Sequence, residues 1–174
     1  MQNDLAPAAG VTIRAIRPDD RLALESFYAG LSEDSLEARF LGASPGIGDG
    51  LARHFCGPDH EHREGFVAEA CAADSRHELI GHLCLEPTGS GDLEMAVAVA
   101  DAWQRRRIGQ ALLAAAIRWA EGHDVRRLHA IMRWGNGAIA ALVRSAGRPV
   151  ETGPSGAGVV DVAIRLAADL PRAA

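Results

Sequence analysis

The stretch richest in chemistry runs Val99-Ala100-Asp101-Ala102-Trp103-Gln104-Arg105-Arg106-Arg107-Ile108-Gly109-Gln110-Ala111-Leu112-Leu113. An alternating apolar segment ends there, an arginine-rich turn follows, and a helical pattern begins with Gly109 in its first turn. The first N–H groups of a helix lack intrahelical partners and carry the positive end of its dipole. Such a turn is an anion site, and a glycine lets a diphosphate come close to the backbone. The turn is expected to bind phosphate. The residues alone leave the ligand open, since a nucleotide would also suit the turn, but the patterns GxxxxGK[ST] and GxGxxG are absent. Just upstream, Glu94 shares one side of a strand-like run with Ala96, Ala98 and Ala100. A carboxylate among small residues leaves room for a substrate, and a solvated outer-face glutamate fits the same pattern. The segment His54-Phe55-Cys56-Gly57-Pro58-Asp59-His60-Glu61-His62 has metal-ligating residue types, yet it matches no zinc spacing. A solvated loop without metal is expected there.

The elements that must position these residues follow from periodicity. Val11 to Ile16 alternates and stops at Arg17-Pro18, as an edge strand does. Leu24, Phe27, Tyr28 and Leu31 recur at helical spacing after a cap from Asp19 or Asp20. Ser32-Glu33-Asp34-Ser35 caps a second short helix carrying Leu36 and Phe40 and closed by Gly42, and Ala43 to Gly50 reads as a surface loop. Phe66 to Ala70 and Leu79 to Leu85 form a hairpin across the polar stretch Ala73 to His77. The turn Pro87 to Gly91 then leads to a third strand, Leu93 to Ala100. Ile108 to Trp119 gives a helix ending near Gly122, Leu128 to Met132 a strand, and Ile139 to Ala146 a last helix stopped by Gly147. One or two strands containing Val160, Val162, Ile164 and Leu166 complete the chain. Trp103 and Trp119 are expected in the core, Trp134 in the core or over the substrate, and His129 as a packing residue.

Composition narrows the partners. The chain has 174 residues, 48% of them hydrophobic, which suits one domain over 1–174 with a core at about 11–166. No apolar run approaches a bilayer span, and Met1 to Gly10 lacks the pattern of a secretory signal, so a cytoplasmic protein with no membrane partner is expected. A net charge of −5 disfavours nucleic acid as a partner and offers an acidic surface to a cationic amine. Three arginines in such a chain suit the phosphates of one cofactor. The three cysteines have no CxxC pairing, and Cys71 and Cys84 are expected as small core residues.

Arg106-Arg107-Ile108-Gly109-Gln110-Ala111, placed between a strand and a helix, resembles the [QR]xxGx[GA] signature of Gcn5-related N-acetyltransferases (GNAT). The resemblance covers about Val11 to Leu166. It implies an α/β (α+β) fold with a central mixed, mostly antiparallel sheet of six or seven strands flanked by four helices. It implies acetyl-CoA as co-substrate, with the amides of the turn (Gln104 and Arg105 leading into Arg106 to Ala111) on the pyrophosphate and the strand edge at Val97, Ala98 and Val99 along the pantetheine arm. Asn136, eleven residues before Gly147, resembles the asparagine that lies beside coenzyme A in the family. Ile13-Arg14-Ala15-Ile16-Arg17-Pro18-Asp19-Asp20, Leu31-Ser32-Glu33-Asp34-Ser35 and Arg39-Phe40 resemble, in order, the catalytic domain of bacterial Pat-type protein lysine acetyltransferases. That likeness implies a protein lysine as acceptor, for instance on an acyl-CoA synthetase, with Glu94 of Leu93-Glu94-Met95-Ala96-Val97 as general base. Such a base is needed because an alkyl ammonium, with a pKa near 10.4, must lose a proton before it attacks. Two departures stand out: Arg107 replaces a glycine common in relatives, and Val143 stands near the place of a tyrosine acid. An acetyltransferase for a small amine and a non-catalytic acyl-CoA sensor are the alternatives.

Overall fold

The structure, a computed structural model, describes residues 10–71 and 77–166. Seven strands form one sheet: β1 (Val11–Ala15), β2 (Glu64–Cys71), β3 (His77–Pro87), β4 (Leu93–Val99), β5 (Arg127–Arg133), β6 (Val150–Gly156) and β7 (Val159–Arg165). Their order across the sheet is β1-β2-β3-β4-β5-β7-β6. Every neighbouring pair is antiparallel except β4 and β5. Parallel neighbours need a crossover, and the helix α4 (Ile108–Gly122) supplies it. The other helices are α1 (Arg21–Ala29), α2 (Glu33–Phe40), α3 (Asp49–Cys56) and α5 (Gly137–Ser145).

Each face of the sheet has its own core. Ile108, Leu112, Leu113 and Ala116 of α4 pack with Val143 of α5 on Leu83, Met95, Leu128 and Ile164. Leu112 and Leu128 have no exposure at all, and burying a leucine that fully contributes about 1.5–3 kcal/mol. Gly81 lets α4 come this close, since a Cβ there would lie 3.1 Å from Leu112 Cδ1 and 3.3 Å from Ile108 Cγ2. On the other face Leu24, Phe27 and Tyr28 of α1, Leu36 of α2 and Phe55 of α3 cover Val67, Cys84 and Ala98. The side of β4 that carries Glu94 therefore looks toward α2, and Leu93, Met95, Val97 and Val99 look toward α4.

Several expectations are corrected. A fifth helix, α3, occupies the end of the expected loop and the start of the His/Cys cluster. Its glycine-rich lead-in hides a short amphipathic turn whose Ala52, Phe55 and Cys56 are buried, while Asp49 pairs with Arg53 and Arg21. Asp20 stands at the start of α1 without capping it. Its carboxylate instead accepts from Arg14 at 2.7 and 2.8 Å and from the Arg17 N–H at 2.8 Å. Burial alone would raise the Asp20 pKa, but the guanidinium and the amide outweigh it and hold the carboxyl below the usual range. Cys71, the last residue of β2, is exposed rather than in the core, whereas Cys56 and Cys84 are buried. Trp134 is 68% exposed, outside the core. Most of the polar stretch before β3 lies outside the described residues.

Candidate active site

Between β4 and β5 the sheet opens. The pairing is limited to Leu93↔Leu128 and Glu94↔His129, so among the described residues the β5-facing edge of β4 beyond Glu94 has no strand partner. Such an edge presents unpaired N–H and C=O groups. The groove beside it, about 650 Å³, is walled by α2, β4, the turn before α4, and α5. Of the residues singled out from sequence, Val97, Ala98, Val99, Gln104, Arg105, Arg107, Ile108, Gly109, Gln110 and Asn136 line this groove. Arg106 and Ala111 do not. The Arg106 guanidinium lies over the Trp103 ring, 5.1 Å from its centroid, and Ala111 is buried against the sheet.

The turn itself is built for close approach. Arg105 and Arg107 both adopt left-handed conformations, with φ of 58° and 64°. Arg107 caps α4 without a side-chain hydrogen bond, leaving the first-turn N–H groups directed out of the helix. A Cβ at Gly109 would meet Leu142 Cδ1 at 3.5 Å and Val99 Cγ2 at 4.0 Å, so the glycine forms groove surface between α4 and α5. Asn136 caps α5 by accepting from the Ile139 N–H at 3.1 Å.

One wall went unread in the sequence. Asp101 accepts from Ser32 N (2.9 Å), Ser32 Oγ (2.7 Å) and Ser35 Oγ (2.7 Å), tying the start of α2 to the turn. Gln104 Nε2 joins this cluster through Ser35 Oγ at 3.0 Å and reaches the Val99 carbonyl at 3.2 Å. Partial burial acts to raise the Asp101 pKa, but these donors prevail and keep it low. The sequence signal for this wall is the pair of serines at i, i+3, Ser32 and Ser35, which also forms the cap of α2. Trp103, expected in the core, is half-buried on the groove.

Glu94 lies in a second, smaller recess of about 50 Å³, shared with Ala96, Leu41, Ile131 and Arg39. Arg39 and Val97 border both cavities. Arg39 donates to Cys84 Sγ at 3.2 Å, and its guanidinium lies 4.9 Å from the Phe40 ring centroid and 5.5 Å from that of Phe55. Burial works against its charge, but Tyr28, Cys84 and Glu94 around it more than compensate. Tyr28, the only tyrosine of the chain, is fully buried, bonded to His82 Nδ1 at 2.9 Å and pushed up to about 12 by burial. His82 is driven down to about 3, by burial first and Arg39 second. Neither is a proton donor to the groove at neutral pH. On β5, His129 bonds Asp161 at 3.0 Å through Nδ1 and Asp92 at 3.4 Å through Nε2, bracing β5 to β7 and to the start of β4. The other histidines are split up: His54 bonds Glu86 and His60 bonds Glu64. Among the described residues no group of three or more His, Cys, Asp or Glu is placed to hold a metal.

This arrangement fits a long ligand with a phosphate end and an extended amide arm. A helix start flanked by arginines suits the phosphates, and an unpaired strand edge suits the arm. The comparisons agree. The family model described as acetyltransferase (GNAT) family matches residues 31–147. The GNAT domain of S. lividans PAT superimposes with a TM-score of 0.79 at 26% identity, covering 90% of each chain. The Sinorhizobium meliloti phosphinothricin acetyltransferase in complex with AcCoA shares the fold at 16% identity, with a TM-score of 0.68 and coverage of 90% of this chain and 89% of that one. So does the ribosomal-protein-S18-alanine N-acetyltransferase of Escherichia coli, at 16% identity, TM-score 0.67 and 94% and 99% coverage. No protein of curated function matches the chain in sequence. Among the described residues no helix is long and apolar enough to cross a membrane. The chain belongs to the GNAT family of acetyltransferases and is an N-acetyltransferase that takes its acetyl group from acetyl-CoA.

Proposed function

We propose that the acceptor is a lysine of another protein and that Glu94 is the general base. The size of the recess at Glu94 carries this reading. At about 50 Å³ it admits the end of a lysine side chain, whereas pockets that enclose a drug-sized ligand run to ~300–1,000 Å³. The rest of such an acceptor would rest outside, where Ile131 and Trp134 are 40% and 68% exposed. The resemblance of Ile13 to Asp20, Leu31 to Ser35 and Arg39-Phe40 to Pat-type protein lysine acetyltransferases supports the same choice, and by that resemblance acyl-CoA synthetases are the first acceptors to try.

Acetyl-CoA supplies an activated thioester. The amides of Arg107 to Gln110 and the guanidiniums of Arg105 and Arg107 hold its phosphates, while the open edge of β4 at Val97 to Val99 aligns the arm. A free β4 N–H donates to the acyl oxygen as negative charge builds there. Glu94 takes a proton from the ammonium, and the freed nitrogen attacks directly. No cysteine nucleophile is needed, and burial pushes the Cys84 thiol up, away from reactivity. The amine's second proton serves the departing thiolate, since Tyr28 is sequestered and Val143 is buried in the core.

The test pairs a variant with a labelling experiment. Glu94→Gln keeps size and hydrogen bonding but not basicity, so kcat at neutral pH should fall at least about tenfold with acetyl-CoA affinity nearly unchanged. Raising the pH should partly restore it. Wild-type kcat in Glu94→Gln removes the base assignment. Label that enters a free amine and no protein of a cell extract removes the protein acceptor.

A further inference from the structure

Acetyl transfer from a thioester to an ammonium yields an amide, a thiol and one proton. Glu94 is exposed at its recess in the free chain, and a seated acceptor would cover it, so the proton it takes then needs another way out. On β3, Glu86 stands directly opposite Glu94 in the antiparallel register, on the face that also holds the facing pair Cys84 and Ala96. Cβ atoms of residues so placed are about 4.5–5.5 Å apart, which brings the two carboxyls together directly or through one water. Like charges at this spacing repel unless a cation or a shared proton lies between or beside them. Glu86 has both kinds of help: His54 Nε2 at 2.9 Å and Arg63 Nε at 3.6 Å. The His54 side chain, on α3, is 44% exposed and so reaches solvent away from the acceptor recess.

We propose that Glu86 and His54 form the exit route for the proton that Glu94 removes, an inference that rests on Glu94 being the base. The ammonium N–H bond breaks with its electron pair staying on nitrogen, and an O–H bond forms on Glu94. The proton moves to a Glu86 oxygen and then to Nε2 of His54 in its Nδ1–H tautomer. The imidazolium so formed gives up its Nδ1 proton to water, and exchange of the remaining ring proton with solvent at the exposed side chain returns the Nδ1–H tautomer, which resets the chain without an oxidant or a further reactant. The other groups facing this path are poor carriers. On β5, His129 has both ring nitrogens committed to Asp92 and Asp161. On α2, Arg39 stays charged, and Cys84 beneath it is held protonated by burial. Arg63 donates to the His54 carbonyl and flanks Glu86, fixing the pair. Glu86 and His54 are thus positioning residues that act through Glu94.

The experiment uses the full chain, acetyl-CoA and whichever acceptor the labelling experiment identifies. In dilute, imidazole-free buffer His54→Ala should lose about threefold or more in kcat with unchanged acetyl-CoA affinity, and added imidazole should restore it saturably. His54→Gln keeps a hydrogen bond to Glu86 but cannot relay a proton, and it should be equally slow. Glu86→Gln should be slow as well. Full kcat in His54→Ala, a loss that imidazole does not restore, or full rate in His54→Gln overturns the route. Glu94→Gln is run alongside. If it is slow while the His54 variants are unaffected, only the exit route falls; if it keeps wild-type kcat, the base and the route fall together.

Discussion

Arg107 couples stability and cofactor affinity with opposite signs. Its φ of 64° places a bulky side chain in the left-handed region at the cap of α4. That conformation costs a non-glycine residue about 1–2 kcal/mol. Arg107→Gly relieves the strain but adds about 0.5–1 kcal/mol of backbone entropy to the unfolded chain. The net gain is therefore about 0–1.5 kcal/mol, or up to roughly 6 °C in Tm for a chain of this length. Arg107 also lines the groove, and a charge-assisted hydrogen bond is worth about 1.5–3 kcal/mol, so Arg107→Gly should weaken acetyl-CoA binding by roughly 10- to 150-fold. Arg107→Ala controls for each term. It loses the same charge but keeps most of the strain, so it should bind as poorly as Arg107→Gly and melt lower. Thermal melts of the free protein and calorimetric titration with acetyl-CoA read the two effects separately. Unchanged affinity in both variants would place the guanidinium off the phosphates, and a lower Tm for Arg107→Gly than for Arg107→Ala would refute the strain argument.

At Gly109 the available space separates bulk from charge. A methyl makes ordinary contacts with Leu142 and Val99, so Gly109→Ala should fold normally. Gly109→Asp should weaken acetyl-CoA binding by about tenfold or more, since it puts a carboxylate against a diphosphate, and equal calorimetric affinity in a folded Gly109→Asp would take the turn out of the site. Asp20 predicts a pH dependence. Its folded pKa lies below the unfolded value, so its contribution is full above the unfolded pKa and lost as pH falls through the folded one. Asp20→Asn should cost about 2–3 kcal/mol in denaturant midpoints at neutral pH, shrinking toward zero in strong acid; a constant difference would show that the Arg14 pair is not its source.

Local signals carried much of this molecule. The alternation of Leu93 to Val99, the helical spacing from Ile108 and the arginine-rich turn between them are properties of contiguous residues, so the sequence alone located the turn that opens α4 and walls the groove. It also located most of the groove residues, Asn136 among them. What it lost were features that depend on neighbours distant in the chain. The eight residues of α3 begin among glycines and have too few turns to declare themselves, and they are helical because Phe55 and Cys56 find α1 and the sheet to pack on. Cys71 is exposed because its strand ends there, which alternation does not reveal. Asp101 meets Ser32 and Ser35 across 69 and 66 residues of chain, and Arg39 meets Cys84 across 45. The separation of β4 from β5 past Glu94, which opens the groove, is set by how α4 and α5 seat on the sheet. The register that puts Glu86 opposite Glu94 follows from the turn joining β3 to β4, closed by the Thr88 N–H on the Asp92 carbonyl at 3.1 Å, whereas the reach of His54 to Glu86 depends on α3 packing on the sheet. Periodicity records which face of an element is buried, but only the folded chain decides which two faces meet.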